Sequence, residues 1–273
     1  MTYDPLGNRR DRTALRDEDG RVLLVYSLSA DSRDDRPLAD GVWRPKEVSV
    51  AEAVSESLDR LSGHAVSTSD SELADAWAGA GAERLRHAQV MSHALAGIDA
   101  LRSGAPEGLR THRLTRRQLL RHADRLGSLM MTAYPPGHPD HRFTTVEHAA
   151  RSLQLVADDQ VLGPFLDVSQ VAVLDHTVIG AALAVDRPGT APDGGPWVLD
   201  IFRDPDVAAK GVGRALLIAV LAAAKASGLP SISLVVSHGN NRALDLYAGL
   251  GFAEASTDWT LALPATDGGH HAE

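Results

Sequence analysis

Five residues, Lys210-Gly211-Val212-Gly213-Arg214, stand just ahead of a long alanine- and leucine-rich run. A glycine turn at a helix start aims several backbone N–H groups at one spot and adds the positive end of the helix dipole. With no Cβ in the way, an anion can come close. Lys210 and Arg214 can add side-chain charge. The chemistry this suits is phosphate or pyrophosphate binding, although any strand-to-helix turn can carry Gly-x-Gly. A third glycine at dinucleotide-fold spacing is missing, and so is the Gly-Lys-Ser/Thr ending of a P-loop. Upstream, Asp200 interrupts the otherwise apolar run Trp197–Phe202. A carboxylate there is hydrogen-bonded, functional, or turned to solvent at a strand edge. Downstream, Asn240 precedes Tyr247 by seven residues, and Gly251-Phe252 follows. By residue type alone Tyr247 reads first as a helix residue with its ring in the core.

The elements that must position these residues can be read from periodicity. Trp197–Phe202 is expected as a strand, Gly213–Ser227 as a helix stopped by Gly228 and Pro230, Ser231–Val236 as a strand, and Arg242–Leu250 as a helix, with Trp259–Leu263 as the last strand. Before them, Gln170–Leu174 and Thr177–Val185 read as two strands around a turn at Asp175-His176, and Arg187–Pro196 as a Gly/Pro loop. Thr115 and Gln118 have capping-box spacing and open a helix whose stripe is Leu119, Leu120, Ala123, Leu126 and Met130. Thr144 and Glu147 repeat that spacing ahead of a helix reaching about Val156. Ala133–His141 between them is a loop stiffened by three prolines.

In the first part, Arg21–Ser29 is a strand, Ala30–Gly41 a charged loop, Val48–Leu61 and Ser71–Gly79 are helices, and Arg84–Ala94 is a strand. Ser103–Gly108 is the best linker, which places domains at 1–108 and 109–273. The chain's front and the tail Asp267–Glu273 are polar and expected to be loose.

Taken together, the glycine turn, the strand after its helix, and Asn240, Tyr247, Gly251 and Phe252 resemble the acyl-CoA-binding half of the GNAT superfamily of N-acetyltransferases. The resemblance covers about 197–252. It implies a GNAT fold, an α/β (α+β) domain with a mixed, mainly antiparallel sheet, and acetyl-CoA as co-substrate. It also implies that Lys210, Gly211, Val212, Gly213 and Arg214 hold the pyrophosphate. The strand backbone at Ile201, Phe202 and Arg203 would polarise the thioester carbonyl, and Asn240 would contact the pantetheine arm. Tyr247 would protonate the leaving thiolate. Ala208 departs from the motif, where Gln or Arg is usual, and Lys210 inside the motif can compensate. Asp200 is the candidate base, alongside a bound water. The next strand reads Leu234-Val235-Val236, so the glutamate that some relatives place there is missing.

His238 and Ser237, just after that strand, stand second to Asp200 as base candidates. In this fold the loop between the first two helices walls the acceptor site, which makes Tyr134, His138, Asp140 and His141 candidates for substrate recognition, and His238 is counted with them. His138, His141 and His148 would make a poor zinc set without a fourth, closely spaced ligand, so no metal is expected. The implied activity is transfer of an acetyl group to a primary amine of a small molecule. A protein lysine or N-terminal acceptor, or a non-catalytic acyl-CoA-binding regulator, are the alternatives.

A fainter repeat lies in the first half. Asp70 is followed seven residues on by Trp77 and then by Gly81-Ala82, as Asn240 is by Tyr247 and Gly251-Phe252. The stretch before the Val48 helix reads Arg44-Pro45-Lys46-Glu47, without a Gly-x-Gly turn. Residues 1–108 therefore read as a smaller, degenerate GNAT-like α/β module without a cofactor site. Chance agreement in an Ala/Gly-rich sequence is the alternative, and a missing β-α-β unit in residues 20–95 would end the idea.

Composition bounds the partners. A chain of 273 residues, 44% apolar and 23% charged, is long enough for two globular domains. Its net charge of −9 speaks against nucleic acid or an anionic membrane as partner. The charge is compatible with cationic amines and equally with plain solubility. Arg110, Arg113, Arg116, Arg117, Arg121 and Arg125 form a basic run with no aromatic residues between them, which reads as a solvated helix face, with an electrostatic guide for a phosphorylated ligand as the alternative. The lack of cysteine excludes disulfides and thiolate chemistry. Met1–Arg16 has no apolar core of a secretory signal, and no membrane span is visible, so the cytoplasm is the expected location. The oligomeric state stays open, with a homodimer among the options.

Overall fold

The computed structural model describes residues 12–33, 36–102 and 104–265. The expectations for the first eleven residues, for Ser103 and for the 267–273 tail fall outside them. The described chain divides into two compact units, residues 12–87 with 257–265, and residues 88–256. Neither boundary falls at 108. The stretch expected as a linker runs, over 104–108, as a loop within the larger unit; composition is blind to strand pairing, and pairing decides which segment belongs where.

The smaller unit runs β1 (Thr13–Arg16), β2 (Val22–Arg33), β3 (Arg36–Trp43), α1 (Val50–Arg60), β4 (Ala65–Thr68) and α2 (Ser71–Gly79). β1, β2 and β3 are antiparallel neighbours, and β3 lies parallel to β4. A β-α-β unit is thus present over 36–68. The expected loop Ala30–Gly41 is instead the end of β2 and most of β3. Its charged residues hid a strand pair in which only Ala39, Asp40 and Val42 are buried on the β3 side, while the ladder carries two register shifts. Residues 259–262, the end of β11 (Ala253–Ala262), pair antiparallel with β4, and Leu261 and Leu263 enter this unit's core around Trp77.

The larger unit begins with residues 88–93 of β5 (Glu83–His93). It continues through β6 (Arg110–Arg113), α3 (Arg116–Arg121), α4 (Ala123–Ala133), α5 (Val146–Ala157), β7 (Gln170–Leu174), β8 (Thr177–Arg187), β9 (Gly195–Arg203), α6 (Val212–Ala226), β10 (Ile232–Ser237) and α7 (Asn241–Ala248). Its strands lie in the order β5-β10-β9-β8-β7-β6. All are antiparallel except β9 and β10. The β7–β8 hairpin turns at Asp175 and His176, both at positive φ (48° and 65°), as a tight two-residue connection between right-twisted strands requires. Period-2 alternation along β8 sends Ala181, Leu183 and Val185 to the core under α3–α5, and Ala182 and Ala184 to the core under α6 and α7. Helices therefore cover both faces.

The Thr115–Gln118 capping box forms as expected. The single helix expected after it is two, because His122 (φ −108°, ψ 13°) interrupts the ladder between α3 and α4. Leu120, assigned to the apolar stripe, is 43% exposed. Leu119, Ala123, Leu126 and Met130 are buried. The second cap is Thr145, not Thr144: its hydroxyl accepts from His148 N–H, one residue later than the spacing implied. Arg110 and Arg113 belong to the short β6, so the basic run is not one helix face. Gly127 lets α4 approach α5, since a Cβ there would lie 2.9 Å from Ala150 N. Among the described residues no helix is long and apolar enough to cross a membrane.

His93, at the end of β5, is 4% exposed. Its Nδ1 accepts Leu95 N–H (2.8 Å), so Nε2 carries the proton and donates to the Leu250 carbonyl (3.1 Å). Burial lowers the imidazole pKa, partly offset by that carbonyl. The folded protein thus prefers neutral His93, while the unfolded chain takes up a proton near pH 6.5. Stability is expected to be unaffected by this group above pH 7 and to fall as the pH drops below about 6.5, by up to roughly 1.4 kcal/mol per pH unit. Melting temperatures at pH 5.5 and 7.5 check this: His93→Gln should show a smaller acid loss than the wild type, and an equal loss would refute it.

Candidate functional site

α6 begins at Gly211, whose φ of +85° is left-handed, and no side chain caps this helix start. The first backbone bond of the helix runs from Ala215 N–H to the Gly211 carbonyl. The N–H groups of Val212, Gly213 and Arg214 therefore have no partner within the helix and point outward at its positive end. A Cβ on Gly213 would come no nearer than 3.7 Å to Leu246. Lys210 is exposed on the turn. Arg214 differs from its assigned side-chain role: Nε donates to the Arg102 carbonyl (2.8 Å) and a terminal nitrogen faces the Gly249 carbonyl (3.4 Å). Its backbone N–H belongs to the turn, while its guanidinium holds the helix to neighbouring backbone.

β9 and β10 run parallel only through Ser233–Trp197 and Leu234–Val198, and no further register joins them. β9 continues to Arg203 beside β8, and β10 continues to Ser237 beside β5. The two strands part beyond these pairs. Ile201, Phe202 and Arg203 lie on the parted segment. The Phe202 side chain is buried in the core, and the Arg203 guanidinium closes on the carbonyls of Asp204 and Val207. What these residues can offer a ligand is mainly backbone.

Asp200, from the same segment, is 8% exposed, which removes the solvent-facing alternative. Its Oδ1 accepts from the Tyr134 hydroxyl (2.9 Å), and its Oδ2 is paired with Arg142. The same hydroxyl lies 2.6 Å from the Ile201 carbonyl, so its one proton is shared between two acceptors. Burial, and then the charge of Asp200, raise the Tyr134 pKa well above the ordinary 10, with Tyr247 and Asp140 near enough to add to it. Tyr134 is therefore a neutral donor at physiological pH. Tyr247, on the last turns of α7, is 6% exposed, with its ring 5.9 Å from that of Phe252. The structure thus brings Tyr134, Asp200 and Tyr247 into one neighbourhood.

Asn240 caps α7, its Oδ1 accepting Ala243 N–H (3.2 Å), and its Nδ2 donates to Asp140 (3.0 Å). The proline-rich loop uses its own histidines to hold its shape. His138 Nδ1 accepts Asp140 N–H (3.0 Å), and His141 Nδ1 faces the Tyr134 carbonyl (2.8 Å). His238 is exposed just past β10. Arg142 was not singled out from the sequence. The signal available was indirect: a carboxylate buried in an apolar strand needs a cation, and Arg142 is the arginine in the acceptor loop.

Residues 123–252 match the family described as the acetyltransferase (GNAT) family. The mycothiol acetyltransferase of Propionibacterium freudenreichii is 40% identical over 81 residues, 29% of this chain and 25% of that protein, so the match spans about a quarter of that relative's length. Among solved structures, a GCN5-related N-acetyltransferase from Sphaerobacter thermophilus superposes with a TM-score of 0.59 at 16% identity, over 94% of this chain and 82% of that one. A tandem GNAT protein from the clavulanic acid biosynthesis pathway gives 0.59 at 14% identity, over 94% and 85%. At these identities the likeness concerns the fold.

Proposed function

Because residues 123–252 form a domain of the acetyltransferase (GNAT) family, whose members use acetyl-CoA as co-substrate, we propose that this protein moves an acetyl group from acetyl-CoA to a primary amine of a small molecule. The observation that carries the reading is the uncapped start of α6 at Gly211, in contact with α7 through Leu246, in the unit that also holds the parted strands and the Tyr134, Asp200 and Tyr247 group. The fit is chemical: outward N–H groups suit a pyrophosphate, and the parted strand edge suits an extended arm. When bound, acetyl-CoA supplies the thioester whose acetyl group is transferred. Val212, Gly213 and Arg214 N–H groups would hold its phosphates, with Lys210 adding charge. Backbone of Ile201–Arg203 and the Asn240 amide would line the arm.

Tyr247 is the proton donor to the departing sulfur. Asp200 is the proton sink, reached through Tyr134: the hydroxyl can pass its proton to Oδ1 while taking one from the amine side. The Arg142 pairing makes Asp200 a weaker base than a lone carboxylate, so positioning of the two reactants would carry most of the rate. A small acceptor is favoured because the acceptor loop, with Tyr134, His138 and His141 along it, is bonded down onto β9 and onto the β10–α7 corner.

We also read the smaller unit as a GNAT-like half without a cofactor site. Asp70 caps α2 as Asn240 caps α7, and Trp77 stands in the place of Tyr247. Where α6 is open, α1 is closed. Ser49 Oγ accepts Glu52 N–H, and Arg44 bonds the Val48 carbonyl while pairing with Asp70 and Glu72.

The test is thiol release from acetyl-CoA with a panel of small amines and lysine peptides, the protein itself contributing no thiol. Acetylated small amines are the expected product. Turnover on peptides alone would move the acceptor class, and no turnover with any amine would contradict the enzyme reading.

A further inference from the structure

The proposed chemistry leaves Asp140 without a task, yet its carboxylate is among the most committed on this face of the larger unit. Oδ1 accepts from the Ser237 hydroxyl at 2.7 Å, and Oδ2 accepts from Asn240 Nδ2 at 3.0 Å. Ser237 ends β10, and Asn240 opens α7. Asp140 belongs to the 134–145 loop, whose internal bonds (His138 N–H to Pro135 carbonyl, His141 N–H to His138 carbonyl) set its shape without setting its place. Besides the Phe143 ring buried in the core, polar bonds set the loop's place at two points. Tyr134 and Arg142 tie it to Asp200 on β9, and Asp140 ties it to the corner carrying Asn240.

We propose that Asp140 is a positioning residue, locking the acceptor loop onto the β10–α7 corner so that Tyr134 and Asn240 keep a fixed separation. Its meaning for catalysis rests on the acetyltransfer reading, although the lock itself does not. A carboxylate is suited to the task because it accepts from two neutral donors at once, each bond strengthened by its charge. An amide at this position keeps the Asn240 bond only by turning its NH2 group to Ser237, whose hydroxyl must then change from donor to acceptor, and both bonds lose the help of the carboxylate charge.

That asymmetry supplies the test. The chain has no cysteine, so Pro136→Cys can carry a single nitroxide on the loop of the full-length protein. Asp140→Asn takes the charge from both bonds and reverses the role of the Ser237 hydroxyl, and Asn240→Asp sets two carboxylates face to face. The double variant Asp140→Asn/Asn240→Asp restores one donor and one acceptor in reversed order, and aspartate caps a helix as well as asparagine does. Each single variant is expected to raise the mobile fraction of the label about tenfold, and the double variant to return it to near the wild-type value. Ser237→Ala, which leaves the α7 cap alone, should release the loop in part. If the single variants leave the label as immobile as in the wild type, or the double variant is no better than the weaker single, Asp140 does not position the loop. None of these readings needs acetyl-CoA or an acceptor, so failure of the lock and failure of the proposed reaction are told apart.

Discussion

Tyr247→Phe is expected to bind acetyl-CoA with near wild-type affinity and to turn over roughly 100-fold more slowly, within the range of about 10²–10⁴ that a positioned acid contributes. The substitution removes one oxygen and leaves the ring, which is 6% exposed and packed beside Phe252. Stability should therefore change by no more than about 1 kcal/mol. The expected loss is in kcat, because a proton is needed by the sulfur only as the carbon–sulfur bond breaks. Steady-state thiol release gives kcat and KM, and calorimetry gives the acetyl-CoA affinity. A variant that binds normally and turns over at the wild-type rate would show Tyr247 to be a core ring and nothing more.

What could be read from the sequence was local. The start and stop of α6 follow from Gly211 at positive φ and from Gly228, which also has positive φ (71°), and the β7–β8 hairpin follows from its two-residue turn. The Thr115–Gln118 box and the exact span of α2 over Ser71–Gly79 follow from capping and periodicity. What escaped depends on residues far apart in the chain. Asp200 was recognised as a carboxylate in need of a partner, but its partners lie 58 and 66 residues away, and no spacing rule links them. Asn240 was expected to face a ligand, yet one of its amide hydrogens is held by Asp140, 100 residues earlier. The Arg214 guanidinium was counted toward the phosphate site, while the carbonyl that holds it is 112 residues earlier. The pairing of residues 259–262 with β4 sets the division into units in the same long-range way.

The second large effect concerns the glycine turn. Gly211→Glu/Gly213→Glu places two carboxylates where the free N–H groups of α6 converge, adding like charge against any phosphate and bulk where only hydrogen atoms stood. Each N–H bond to an anion contributes about 1.5–3 kcal/mol, so losing two of them should weaken acetyl-CoA binding by at least about 100-fold. Gly211 sits at φ +85°, where a side chain costs roughly 1–2 kcal/mol of fold stability, so a melting curve belongs beside the titration. Gly213→Glu alone avoids that strain, because Gly213 has no such backbone constraint and its nearest neighbour for a Cβ is Leu246 at 3.7 Å. The most direct measurement of the whole account is therefore the calorimetric titration of acetyl-CoA into the wild-type protein and into Gly213→Glu. One site in the wild type, with affinity lost in a variant that still melts cooperatively, is the predicted result. No binding to the wild type, or equal binding to both proteins, would contradict the assignment of the α6 turn as the acetyl-CoA site.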